Sequence, residues 1–94
     1  MKKVDLIIKN EQGLHARPST KIVEITQQFK GDVSVYANDE IIDAKNVMGL
    51  MLLALSKGEK FTVIVESSEN DDLSEQKLID DLKYLVEVLK FDEI

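Results

Sequence analysis

The first segment of the chain alternates with a period of two. Val4, Leu6 and Ile8 point one way, and Asp5, Ile7 and Lys9 the other. Successive side chains of a strand face opposite sides, so the pattern predicts a strand over 3–9. Asn10 to Gly13 reads as a loop punctuated by glycine. From Ala16 the period lengthens. Ile22, Ile25, Thr26 and Phe29 recur at helical steps, with Val23 on the flank and Lys21, Glu24, Gln27 and Gln28 on the polar side. This predicts a helix from Ala16 to Phe29 that stops at Lys30, with Gly31 as its C-terminal cap.

A period of two returns over 32–37, with Val33 and Val35 on one face. Ala37 to Glu40 is expected as a hairpin turn leading into a short third strand over 40–43. A short helix is expected over 46–53. The stretch from Val47 to Leu55 is almost wholly apolar, with Val47, Leu50, Met51 and Ala54 as its core candidates. A short helix cannot bury every side, so some of Met48, Met51 and Leu52 should be exposed, and exposed methionines suit adaptable protein contacts. Phe61, Val63 and Val65 mark a fourth strand over 61–65. The last helix is expected from Asp71 to Lys90, with a stripe of Leu78, Leu82, Leu85, Val86 and Leu89 and Ile79 beside it. Residues 91–94 read as a tail of no assigned order.

The order is strand, helix, strand, strand, helix, strand, helix. Strands with one apolar face and amphipathic helices imply an α+β fold, with helices layered on one face of an antiparallel sheet. No linker, repeat or low-complexity segment interrupts the chain, so one domain is expected over 1–94.

Composition narrows the function. The formal net charge is -6, from 12 basic and 18 acidic residues. That argues against nucleic acid as a partner, because binding to phosphate backbones requires basic surface. There is no cysteine and one histidine, so no disulfide, thiolate metal site or structural zinc site is expected, and no cofactor. No apolar run reaches the roughly 18 residues that span a bilayer. Asp5 interrupts the short apolar stretch after Met1-Lys2-Lys3, which is unlike a signal peptide. A cytoplasmic location without membrane insertion is the expectation.

The candidate chemistry lies in Gly13-Leu14-His15-Ala16-Arg17-Pro18-Ser19-Thr20, which holds the chain's only His, Arg and Pro. A helix start leaves about four N–H groups without intrahelical partners and carries roughly half a positive charge. If the helix opens near His15, the amides of Ala16 and Arg17 are donors for an anion. Pro18 suits the first turn. Arg17 adds a fork of donors fitted to phosphate oxygens. His15 is a candidate covalent nucleophile, one ring nitrogen attacking while the other steadies the ring. Each residue also has a structural reading: His15 as a cap or a packed ring, Arg17 as a solvated side chain.

Gly-Leu-His-Ala-Arg-Pro resembles the phosphorylation motif of the HPr family, phosphocarriers of the bacterial phosphoenolpyruvate-dependent sugar phosphotransferase system. Ala44 to Met51 is similar to the regulatory segment of that family, and Lys57-Gly58 followed by Phe61 to Val65 agrees with it as well. The resemblance implies an HPr-like open-faced β-sandwich, a four-stranded antiparallel sheet covered on one face by three helices. It implies that His15 accepts a phosphoryl group from phosphorylated enzyme I and passes it to an enzyme IIA, with Arg17 positioning and neutralising the phosphoryl oxygens. Such a carrier is a stoichiometric relay rather than a stand-alone enzyme. The family's partner contacts map onto Thr20, Val47, Met48 and Met51.

Five positions depart from the family pattern, the slightest being Ser19 in place of the usual alanine. Asn46 stands where the family usually has a regulatory serine, so phosphorylation there is excluded, although Asn still suits a helix cap. Ala54 replaces a common glycine. Leu52 adds apolar surface, and Glu24 adds negative charge near a face that meets an acidic enzyme I. A related catabolite-repression protein keeps the serine and loses the histidine; this chain does the reverse. Two alternatives to the carrier remain: a non-catalytic HPr-like binding module acting through Val47 to Met51, and a sensing domain that binds a free anion at the His15 helix start. The last ranks lowest because no further basic residue is expected near the motif.

Overall fold

The computed structural model describes residues 1–93, with the side chain of Glu93 left aside. Four strands form one sheet: β1 (Lys2–Ile7), β2 (Gly31–Ala37), β3 (Glu40–Asp43) and β4 (Lys60–Ser67). Their order is β1-β4-β2-β3, and every neighbouring pair is antiparallel. The expected alternation fixes which side chains meet. Val4, Val63, Val35 and Ile42 lie in one row across all four strands. The core face carries Leu6, Val33, Val35, Phe61, Val63 and Val65, all buried. The opposite face carries Asp5, Thr62, Tyr36 and Ile41, with no element among the described residues layered on it. Three helices, α1 (Ala16–Thr26), α2 (Val47–Leu52) and α3 (Asp72–Lys83), cover the core face. This is the α+β layering that the periodicities predict and the open-faced sandwich that the resemblance implies.

Several expectations are corrected. Helix α1 ends at Thr26, and residues 27–29 form a turn in which the Phe29 N–H reaches the Thr26 carbonyl at 3.1 Å. The buried face of α1 is Pro18, Ser19, Ile22, Val23 and Thr26, so the stripe is rotated towards Val23. Ile25 and Phe29 are partly exposed and floor a groove against α3 with Leu78 and Leu85. The Thr26 hydroxyl is buried on this face because it donates to the Ala44 carbonyl at 2.8 Å.

The last helix does not continue regularly to Lys90. It passes at Tyr84 into a π turn (Tyr84–Val88), in which the Leu89 N–H reaches the Tyr84 carbonyl at 2.8 Å. One extra residue in the turn rotates the remainder of the helix. Leu85 and Val86 are buried, and Leu89 is left 37% exposed. The π turn also brings Glu87 to the sheet edge, where it accepts the Ile7 N–H at 2.9 Å.

The expected tail is ordered over its first residues. Lys90–Glu93 forms a tight turn, and Phe91 is 0% exposed. Ile94 lies outside the described residues. Ala54, expected as a core candidate, is exposed and sits at φ 51°, a left-handed position that closes α2. A glycine adopts that conformation without the Cβ clash that a residue such as alanine meets.

Candidate functional site

The loop into α1 is held from several sides. Gly13 has φ +72°, and a Cβ there would meet the Leu55 carbonyl oxygen at 2.3 Å, so no other residue fits unchanged. Leu14 N–H donates to that same carbonyl at 2.9 Å, stapling the loop to the segment after α2. The buried Asn10 amide donates to the Gly13 carbonyl at 2.8 Å. Across the loop, Lys57 pairs with Glu11, and its hydrogen bond and charge hold the Glu11 carboxyl below the usual range.

His15 is the N-cap residue of α1, with extended backbone (φ -97°, ψ -161°) and no side-chain cap hydrogen bond. Its ring Nδ1 lies 3.1 Å from the Gly13 carbonyl oxygen, and its own N–H bonds to the same oxygen. Pro18 has no N–H, and the first helical bond runs from Ser19 N–H to the His15 carbonyl at 3.0 Å. The amides of Ala16 and Arg17 therefore have no acceptor within the helix. No acidic residue lies in the first turn to take up its positive end. Arg17 is exposed and makes no ion pair among the described residues. His15 is half-buried, with a ring that rests on the loop and still faces solvent. The His15 ring and the amides of Ala16 and Arg17 thus stand at one helix start, with the Arg17 side chain exposed beside them.

Thr20 is exposed one turn on, its hydroxyl turned back to the Ala16 carbonyl at 2.9 Å. Helix α2 packs against α1. Of its expected contact residues, Met48 is 62% exposed, while Val47 and Met51 are half-buried and Val47 leans on the core. Leu52 is 77% exposed, so the added apolar side chain lies at the surface. Asn46 accepts the Gly49 N–H at 3.2 Å and caps α2, which accounts structurally for this residue.

One expectation about charge fails. Lys21 lies one helical turn beyond Arg17, and the two line one cleft of about 390 Å3 with Ala16, Thr20, Glu24 and Asp92. The motif therefore has a second cation beside it. Asp92 reaches this cleft because the C-terminal turn folds back on α1, where its carboxylate meets Lys21 Nζ at 3.3 Å. The apolar Phe91 next to Asp92 was the available sign that the tail would dock.

The family model for the PTS HPr component phosphorylation site matches residues 2–87. The chain belongs to the HPr family. Phosphocarrier protein HPr of Neisseria meningitidis serogroup A is 41% identical over 83 residues, covering 87% of this chain and 90% of that protein. The crystal structure of HPr-C-His from Thermoanaerobacter tengcongensis superposes with a TM-score of 0.85 at 34% identity, covering 100% of this chain and 99% of that one. The Bacillus subtilis catabolite repression protein Crh superposes at 0.68 and 30% identity, covering 94% and 95%. That family is the HPr phosphocarrier family of the phosphotransferase system. No helix among the described residues is long and apolar enough to cross a membrane.

Proposed function

We propose that this chain is a stoichiometric phosphoryl carrier in which His15 accepts the group from phosphorylated enzyme I and delivers it to an enzyme IIA. The observation that carries this reading is the start of α1: an uncapped helix N-terminus with a histidine at its N-cap and, two residues on, an arginine without an ion pair among the described residues. In the accepting step a ring nitrogen lone pair forms the new N–P bond. The donor's bond to phosphorus breaks, and its electron pair returns to the donor. Such transfer is governed by positioning and charge neutralisation.

We take Nδ1 as the attacking atom once the ring has turned away from the Gly13 carbonyl that it faces at 3.1 Å. Nδ1 stands at the same distance along the side chain as the oxygen of a capping aspartate. A phosphoryl group there lies over the free amides of Ala16 and Arg17, whereas one on Nε2 projects past them. With the contact to the Gly13 carbonyl given up, Arg17 meets the phosphoryl oxygens from the solvent side. Partners assemble over the exposed face of α1 and the apolar surface of α2, with Thr20, Val47, Met48 and Met51 in contact.

The alternative is a regulatory binding module that uses the α2 surface without transfer. The exposure of Met48 and Leu52 favours partner contact but does not require chemistry. Incubation with enzyme I, phosphoenolpyruvate and magnesium separates the two. The carrier gains one acid-labile phosphoryl group by intact mass, and His15→Ala gains none. No gain with an enzyme I from the same cell overturns the carrier reading in favour of the binding module.

A further inference from the structure

The C-terminal turn has no part in the transfer chemistry above, yet it is built at some cost. Lys90, Phe91 and Asp92 hold three consecutive left-handed conformations (φ 51°, 54° and 59°). Side chains with a Cβ disfavour that region, and three in a row persist only where packing fixes them. Phe91 supplies the packing: it is fully buried among the largest core side chains. The turn reverses the chain and returns Asp92 to α1. There the Asp92 carboxylate pairs with Lys21 at 3.3 Å, both groups remaining open to solvent.

Lys21 is placed four residues after Arg17, on the same face of α1. Both line the cleft whose opposite wall is Asp92. In a chain of net charge -6 these two cations are what the start of α1 offers an acidic group. Glu24 also lines the cleft, one turn beyond Lys21, and makes no ion pair among the described residues. Asp92 differs from Glu24 in arriving from outside the helix, held by a buried anchor, as a partner's carboxylate would arrive.

We propose that the C-terminal turn is a built-in competitor for the docking face: Asp92 occupies the Lys21 ammonium in the free protein, and an acidic side chain of the docking partner displaces it. The proposal rests on the reading of α1 as the end that meets enzyme I. Docking exchanges one surface ion pair for another, so the turn lowers affinity without blocking the site. It would set how readily the carrier is released as well as bound.

The test is calorimetric binding of the full chain to enzyme I at low salt. Asp92→Asn is expected to bind about three-fold more tightly, the scale of one exposed ion pair. Phe91→Ala keeps the charge but removes its anchor, and should tighten binding in the same direction. In a Lys21→Gln background, Asp92→Asn should add nothing. The gain should fade at high salt, because the competing pair is exposed. Unchanged affinity for Asp92→Asn overturns the proposal. So does a gain that persists without Lys21, or one seen for Asp92→Asn but not for a folded Phe91→Ala, since either marks a diffuse charge effect. Should Phe91→Ala not fold, the Lys21 background decides. Binding by none of the chains overturns the docking reading itself, and this proposal with it; normal binding with no tightening overturns this proposal alone.

Discussion

Helices α1 and α3 solve the same problem in opposite ways. Each begins with amides that have no partner along the helix. At α3 the Asp71 carboxylate accepts the N–H groups of Leu73 and Ser74 at 3.1 and 3.2 Å, and Asp72 and Glu75 add negative charge to the first turn. At α1 no side chain caps the helix, and the first turn has no acid. The residue at the capping position is His15, and Arg17 adds positive charge where α3 adds negative. A cap is worth roughly 1 kcal/mol. The start of α3 is completed by the chain itself, which makes it a structural end. The start of α1 is left open by the chain, as the proposed carrier role requires.

The sharpest way to break that contrast is through transfer. Arg17→Ala should lower the rate of phosphoryl gain about a hundredfold, the scale on which one preorganised donor to a developing charge acts. Because Arg17 is exposed and makes no ion pair among the described residues, the melting temperature should not move. A rate loss accompanied by a large stability loss would make Arg17 structural instead. Next comes the reciprocal pair. Asp71→Ala should destabilise the fold by about 1 kcal/mol, seen as a melting point lower by roughly 4–8 °C, with transfer intact. His15→Asp should do the reverse, raising stability by about 0.5–1 kcal/mol as α1 gains its own cap, with transfer abolished. If His15→Asp fails to stabilise, the amides of α1 are not free in the way described. The smallest effect is at the far end of α2. Ala54→Gly relieves a left-handed alanine and should stabilise by about 0.5 kcal/mol, after the larger unfolded-state entropy of glycine is set against the relief. Chemical denaturation with an unchanged m-value would check it.

Much of this contrast was legible before any coordinates. The alternation of Val4, Leu6 and Ile8, and of Phe61, Val63 and Val65, assigns the sheet faces because a strand has one period and no freedom to rotate within it. The opening of α1 at His15 was legible because Gly13, His15 and Pro18 each perform a local task within one short stretch. The features that escaped depend on contacts distant in sequence. The stripe of α1 turns towards Val23, and Thr26, expected on that stripe, donates to the Ala44 carbonyl, a partner that no local pattern records. The π turn at Tyr84–Val88 lacks a proline or glycine to announce it; it places Glu87 on the Ile7 amide and shifts Leu89 outward. Folding back of Phe91 and Asp92 follows that π turn, so the acid that meets Lys21 was out of view, although Lys21 itself lies one helical turn after Arg17 in the sequence.

The central claim is that the amides at the start of α1 are held open for the phosphoryl group. It is tested most directly by the amide proton shifts of the 15N-labelled protein before and after phosphorylation by enzyme I. The account predicts large downfield shifts at Ala16 and Arg17, with Leu73 and Ser74 at the capped start of α3 unmoved. A phosphorylated protein in which the Ala16 and Arg17 amides keep their positions would contradict it.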